Sequence, residues 1–168
     1  HPGVEFHRAE YQKAIAWELK RCEKGAKENL LVVNLPPRHL KSEMISVFYS
    51  AYILGHDPTA TILSISYGAD LVVKLSNNVR KIMSAKWYKD AFPHTRLSAT
   101  KNTETEFETT AGGRRYATTV NGELTGHGAK YVLIDDPHNV SQLPGQASLK
   151  NDIEWFKGGV WSRFECHA

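Results

Sequence analysis

The sequence predicts an α/β fold, a mainly parallel β-sheet flanked by helices and carrying an inserted β-hairpin. Three observations lead there. Short apolar runs of strand length recur at residues 30–35, 59–67 and 131–134. Stretches of helical periodicity follow the first two, which is the βαβ rhythm of a parallel sheet. The first run leads into Lys41-Ser42 and the last ends in Asp135-Asp136, residue types that suit phosphate and metal chemistry at the carboxyl edge of such a sheet.

At 168 residues the chain suits one domain with a real core. A hydrophobic fraction of 41% and a charged fraction of 23% exclude an intrinsically disordered chain. The net charge of +3 permits a polyanionic partner without demanding one. Cys22 and Cys166 lack metal-like spacing and make no disulfide framework, so a reducing cytosol is the default compartment. No apolar run reaches the length of a membrane span. Residue 1 is His and no charged-then-apolar leader follows, so no signal peptide is read and a longer parent chain is expected.

In chain order, residues 6–24 are helical, from Phe6 onward. Tyr11, Ile15 and Leu19 lie four apart, flanked by Ala14 and Trp17, and Gly25 is the stop. Residues 30–35 read as a strand buried on both faces. After a Pro36-Pro37 turn, Met44, Val47, Phe48, Ala51 and Tyr52 mark a helix that Gly55 ends. Residues 59–67 are β-branched and apolar, hence a strand. Residues 69–83 form a helix with Leu71, Val72, Leu75, Val79 and Ile82 on one side. Residues 86–99 read as irregular. Runs at 104–110 and 114–120 around Gly112-Gly113 form the hairpin. Residues 121–128 are a glycine-rich loop and 131–134 another buried strand. The tail from Gln146 is helical at first, through Ile153, Trp155 and Phe156.

The chemistry rests on two stretches. A helix N-terminus offers unpaired N–H groups and the positive end of its dipole to anions. There Lys41 would add a mobile charge for the β- and γ-phosphates, and the Ser42 hydroxyl would be a ligand for Mg²⁺. In the general G-x-x-x-x-G-K-[ST] phosphate loop, glycines fall at positions 35 and 40, and both are leucine here. In the second stretch, Asp135 would hold Mg²⁺, directly or through water, and Asp136 would orient or deprotonate the attacking water. Asp and Pro137 are also ordinary turn residues, and Lys41-Ser42 also suits a plain helix start, so neither stretch decides alone. Both together, each after a buried run and in the right order, point to a nucleotide site.

Five motifs stand in order along the chain: Asn34-Leu-Pro-Pro-Arg-His-Leu-Lys-Ser-Glu43, Ile65-Ser-Tyr-Gly-Ala-Asp-Leu71, Thr110-Ala-Gly-Gly113, Leu124-Thr-Gly-His-Gly128 and Leu133-Ile-Asp-Asp-Pro-His138. In these motifs and their order the chain resembles a known family, the large terminase subunits of tailed bacteriophages and prophages. The resemblance implies a RecA-like P-loop ATPase domain that powers DNA packaging into a procapsid, with ATP and Mg²⁺. It implies a nucleotide-binding loop of Pro37, Arg38, His39, Leu40, Lys41, Ser42 and Glu43. It gives Arg38 a catalytic role on phosphate or as an arginine finger, beside Asp136, with Ser42 and Asp135 on the metal. Leu40 departs from the family's commoner glycine, and Asp136 from a frequent Glu.

Implied partners are double-stranded DNA, a small terminase subunit and a portal protein, in a homo-oligomeric ring in the bacterial host cytoplasm with no membrane. The family's nuclease domain has no counterpart here, so a single, C-terminally incomplete ATPase domain is expected. Tyr11 and Gln12 fall where the family places adenine contacts but read as part of a plain helix. His127 and His138 read as solvated loop residues. For DNA phosphates the candidates are Arg114 and Arg115 at the hairpin tip, or Lys74, Arg80 and Lys81 on the second helix, each equally a solvated face. The competing readings are a truncated prophage remnant that binds nucleotide or partners without turnover, and a different P-loop enzyme such as a small kinase.

Overall fold

A computed structural model describes residues 9–24, 30–124, 128–138 and 145–163. Phe6, Gly25, His127 and Cys166 lie outside them. The chain divides into two compact units, His1–His39 and Leu40–Ala168.

In the first unit, α1 spans Glu10–Lys24. Gln12 folds its side chain back to accept a hydrogen bond from the Ala9 N–H at 3.2 Å, one half of a capping box. Ile15 and Leu19 are its buried positions. Residues 30–35 correct the expectation of a strand. They pair with no ladder, and Leu30 and Val32 are 80% and 79% exposed. Exposure alternates along the run, as extended chain requires, but apolarity alone supplies no edge to pair with.

The second unit is an α/β fold. Its helix starts at residues 41–42, passes through a π-helical stretch at Glu43–Tyr49 and continues as α2, Ser50–His56. Then come β1 (Thr61–Ser66), α3 (Ala69–Ser84), α4 (Lys86–Ala91), β2 (Leu97–Asn102), β3 (Glu106–Thr109), β4 (Arg114–Thr119), β5 (Tyr131–Asp135) and α5 (Gln146–Trp155). The five strands lie in the order β2-β3-β4-β1-β5. The sheet is mixed: β4-β1-β5 are parallel, β2-β3-β4 antiparallel. The hairpin is therefore not an insert. Its second arm, β4, lies beside β1 with Ile62 opposite Arg115 and Ile65 opposite Thr118. Residues 86–99 are not irregular either, since they supply α4 and open β2.

Five consecutive residues of β1, Ile62 to Ser66, are buried, because helices cover both of its faces. On one face Leu63 and Ile65 meet Leu124, Ala129 and Val160, with Trp155 and Phe156 at the margin. Toward the other, α3 packs on β1 and β4 through Val72, Leu75, Val79 and Met83. Arg115 lies in the interior, fully buried, which removes it as a surface contact for DNA. Its Nε donates to Ser50 Oγ at 3.4 Å and its Nη2 to the Ser46 carbonyl at 3.5 Å, both in the helix that begins at Lys41. Burial lowers its pKa to about 10, so it stays charged at neutral pH. Arg114 is spoken for as well, 3.9 Å from Glu106.

The Thr110–Gly113 motif has a structural explanation. Gly112 turns the chain at φ +92°. Gly113 donates to the Pro58 carbonyl at 3.0 Å, so close that a Cβ there would collide with that oxygen and sit 2.9 Å from the Ala60 carbonyl. Both obstacles are backbone and cannot swing away. Gly113→Ala is expected to cost about 2–3 kcal/mol of unfolding free energy. Chemical denaturation checks it, with Gly145→Ala, which meets open space and changes only the N-cap of α5, as the clash-free comparison.

Candidate nucleotide and metal site

The helix start and the end of β5 meet. Lys41 Nζ forms an ion pair and hydrogen bond with Asp136 Oδ1 and lies 3.9 Å from Asp135 Oδ1, although 95 residues separate Lys41 from Asp136. Asp135 is the last residue of β5, opposite Ser66 of β1, so its carboxylate stands at the carboxyl edge of the parallel strands. The Tyr67 N–H donates to the Asp136 carbonyl at 3.2 Å, tying the turn after β5 to the end of β1.

The two acids live in different surroundings. Asp135 is buried, its side chain 2% exposed, whereas that of Asp136 is 44% exposed. Burial is the largest influence on the Asp135 carboxyl and holds it above its ordinary pKa. The Ser42 hydrogen bond opposes that rise, the Asp136 charge adds to it, Lys41 opposes it and Glu43 adds. Asp135 Oδ2 is buried and has no hydrogen-bond partner among the described residues. An orphaned carboxylate oxygen beside a serine hydroxyl is a donor set that fits Mg²⁺, which takes one or two protein oxygens and fills its octahedron with waters and substrate phosphates. Among the described residues, no group of three or more His, Cys, Asp and Glu gathers into a self-sufficient metal cage.

Positive backbone φ falls on the same two stretches of sequence. Among the described residues, four non-glycines adopt positive φ, and three are Arg38 (65°), Leu40 (58°) and Asp136 (43°). Leu40 thus holds a left-handed conformation at the position where the general phosphate loop has glycine, at a cost of roughly 1–2 kcal/mol. Its carbonyl accepts the first helical bond, from the Met44 N–H at 2.8 Å. Glu43 turns toward α3, where its carboxylate accepts from Asn78 Nδ2 at 3.2 Å.

In the first unit, Pro37, Arg38 and His39 are exposed. His39 Nδ1 lies 2.9 Å from the Pro37 carbonyl, and the Tyr11 hydroxyl donates to the His39 carbonyl at 3.4 Å. Gln12 is committed to its own helix cap. His138 stays in a loop with its side chain 37% exposed, but it also has a partner: its Nε2 lies 2.8 Å from Asp152 Oδ2, and Asn121 Nδ2 donates to Asp152 Oδ1 at 2.8 Å. Asn78 and Asp152 carried no pattern in the sequence that marked them, and Arg115 was marked only as a surface candidate for DNA, because their partners lie on other elements. His127 lies outside the described residues.

No protein-family model, curated protein or solved structure matches the chain.

A native carboxyl with a raised pKa releases its proton at higher pH than its unfolded counterpart. Its contribution to stability is fullest below the unfolded Asp value of about 4 and is lost as pH rises through the native value. Without divalent cation, Asp135→Asn is therefore expected to be more stable than the parent chain at pH 7. Its advantage shrinks toward pH 4, as urea unfolding across that range measures.

Proposed function

We propose that the chain is the ATPase portion of a phage-type DNA-packaging motor, akin to the large terminase subunits its motifs resemble, with a RecA-like P-loop arrangement. The observation that carries this reading is the meeting of Lys41, Ser42, Asp135 and Asp136 at the carboxyl edge of β5. A plain helix start and a plain strand-end turn give no reason for these four side chains to converge.

Within this reading, Lys41 exchanges its carboxylate partners for the β- and γ-phosphate oxygens of ATP. Asp135 and Ser42 would hold Mg²⁺, whose charge, when bound, offsets that of the phosphates. Asp136, half-exposed beside the ammonium, orients the attacking water and accepts its proton. Arg38 is assigned to phosphate contact by its place in the loop, with Pro37 and His39 as its neighbours. Duplex DNA as the translocated polymer belongs to the same proposal. So do a small subunit, a portal and a ring of copies in the host cytoplasm. Among the described residues, no helix is long and apolar enough to cross a membrane.

One observation favours the second reading, a remnant that binds nucleotide without turnover. Leu40 presents a branched side chain where close backbone approach to phosphate calls for glycine. Magnesium-dependent ATP hydrolysis separates the two. Lys41→Ala is expected to lower kcat by about a hundredfold or more. Equal rates for the two proteins would sink the motor reading, and nucleotide binding without hydrolysis by the parent chain would establish the remnant.

A further inference from the structure

The face of α3 turned away from the sheet core borders an open groove of about 360 Å³, lined by Asn77, Arg80, Lys81, Ser84, Leu97 and Asn102. Its chemistry is one-sided. Two cations, two amides and a hydroxyl line it, and no carboxylate does. Arg80 is held from three directions. Its Nε donates to Asn102 Oδ1 at 2.7 Å, its Nη1 to Asn77 Oδ1 at 2.9 Å and its Nη2 to the Asn102 carbonyl at 3.3 Å. All three acceptors are neutral, so the guanidinium is fixed in position with its charge uncancelled and further N–H groups to offer.

Several cations elsewhere are cancelled by carboxylates, although Arg96, like Arg80, is held by neutral acceptors. Lys86 pairs with Asp90, Lys101 with Glu106, Arg114 with Glu106, and Lys130 with Asp57. Arg80, Lys81 and Lys74 have no carboxylate partner among the described residues. Lys74, Asn77, Lys81 and Ser84 follow helical spacing along one face of α3. From Lys74 to Lys81 the helix advances roughly 10 Å, against about 3.4 Å per phosphate along one strand of duplex DNA. Lys74 stands at one end of that length and Arg80 and Lys81 together at the other, so the three cations span about three successive phosphates. An enclosed pocket would suit a small anion, whereas an open groove with a basic stripe along its helix suits a continuous backbone.

We propose that the groove between α3 and β2, with Lys74, Arg80 and Lys81, is the surface on which this chain holds the phosphate backbone of duplex DNA. The choice of polymer rests on the packaging-motor reading; the site rests on the groove. Hydrogen bonds donated to Asn77 and Asn102 position Arg80, and Lys74 and Lys81 extend the cationic stripe along the helix.

The test is fluorescence anisotropy of the chain with a labelled mixed-sequence 20-base-pair duplex, without nucleotide, between 50 and 200 mM salt. Three neutralised phosphates predict that affinity falls about forty-fold over that range. For Lys74→Ala combined with Lys81→Ala, two exposed positions whose loss leaves the core untouched, the fall shrinks to about fourfold. Arg80→Gln lowers the slope by about one phosphate equivalent, and Lys86→Ala, outside the groove, leaves it unchanged. A double variant that keeps the parent slope overturns the proposal, and so does a parent chain with no salt-dependent binding. ATP hydrolysis measured without DNA tests the motor reading separately, so either can fail while the other stands.

Discussion

The rest of the second unit depends on β1 having both edges taken by parallel neighbours. With β4 on one side and β5 on the other, every backbone group of its middle is paired and both faces must be covered. That demand places α3 on one side and the Leu124–Val160 cluster on the other. It also aligns the carboxyl ends of β1 and β5, so Ser66 and Asp135 stand side by side and the following turn closes from Tyr67 to the Asp136 carbonyl. The tight approach of Gly113 to Pro58 serves the same arrangement, since it starts β4 in register with β1.

On that edge the decisive contact is between Lys41 and the two acids. Asp135 is buried with one oxygen unpaired, which destabilises its ionised form, while Lys41 and Ser42 offset part of that cost. A fold selected for stability alone has little use for such a group, and the left-handed Leu40 and Asp136 add backbone strain beside it. Arg115 supports the same region from beneath. Its guanidinium reaches the Ser46 carbonyl one turn past Ser42, in a stretch wound with π-type bonds.

Helix α3 works on two sides. Its apolar positions pack on β1 and β4, and its polar side carries Asn77, Arg80, Lys81 and Ser84 to the groove beside β2. Asn78 joins the two regions chemically, since it is one residue from the groove lining and donates to Glu43 beside the candidate site.

By itself the sequence determined what depends on local pattern. The period of 3.6 in residues 69–83 and the β-branched run at 59–67 became α3 and β1. The apolar run before Asp135-Asp136 became β5, with its acids at the edge. The Lys41-Ser42 pair was legible as a helix start for the same reason. Only the tertiary structure decided what depends on partners. Residues 30–35 are as apolar as β5, yet they form no strand, because composition permits a strand and only pairing makes one, and these residues enter no ladder. The hairpin became part of the sheet because β4 had β1 to pair with. Residues 97–102 became β2 through β3, despite a polar sequence that fits no strand pattern. Arg114 and Arg115 are neighbours that look alike on paper. The alternation of a strand sent one to the margin beside Glu106 and the other into the core, and left α3 to carry the uncancelled charge.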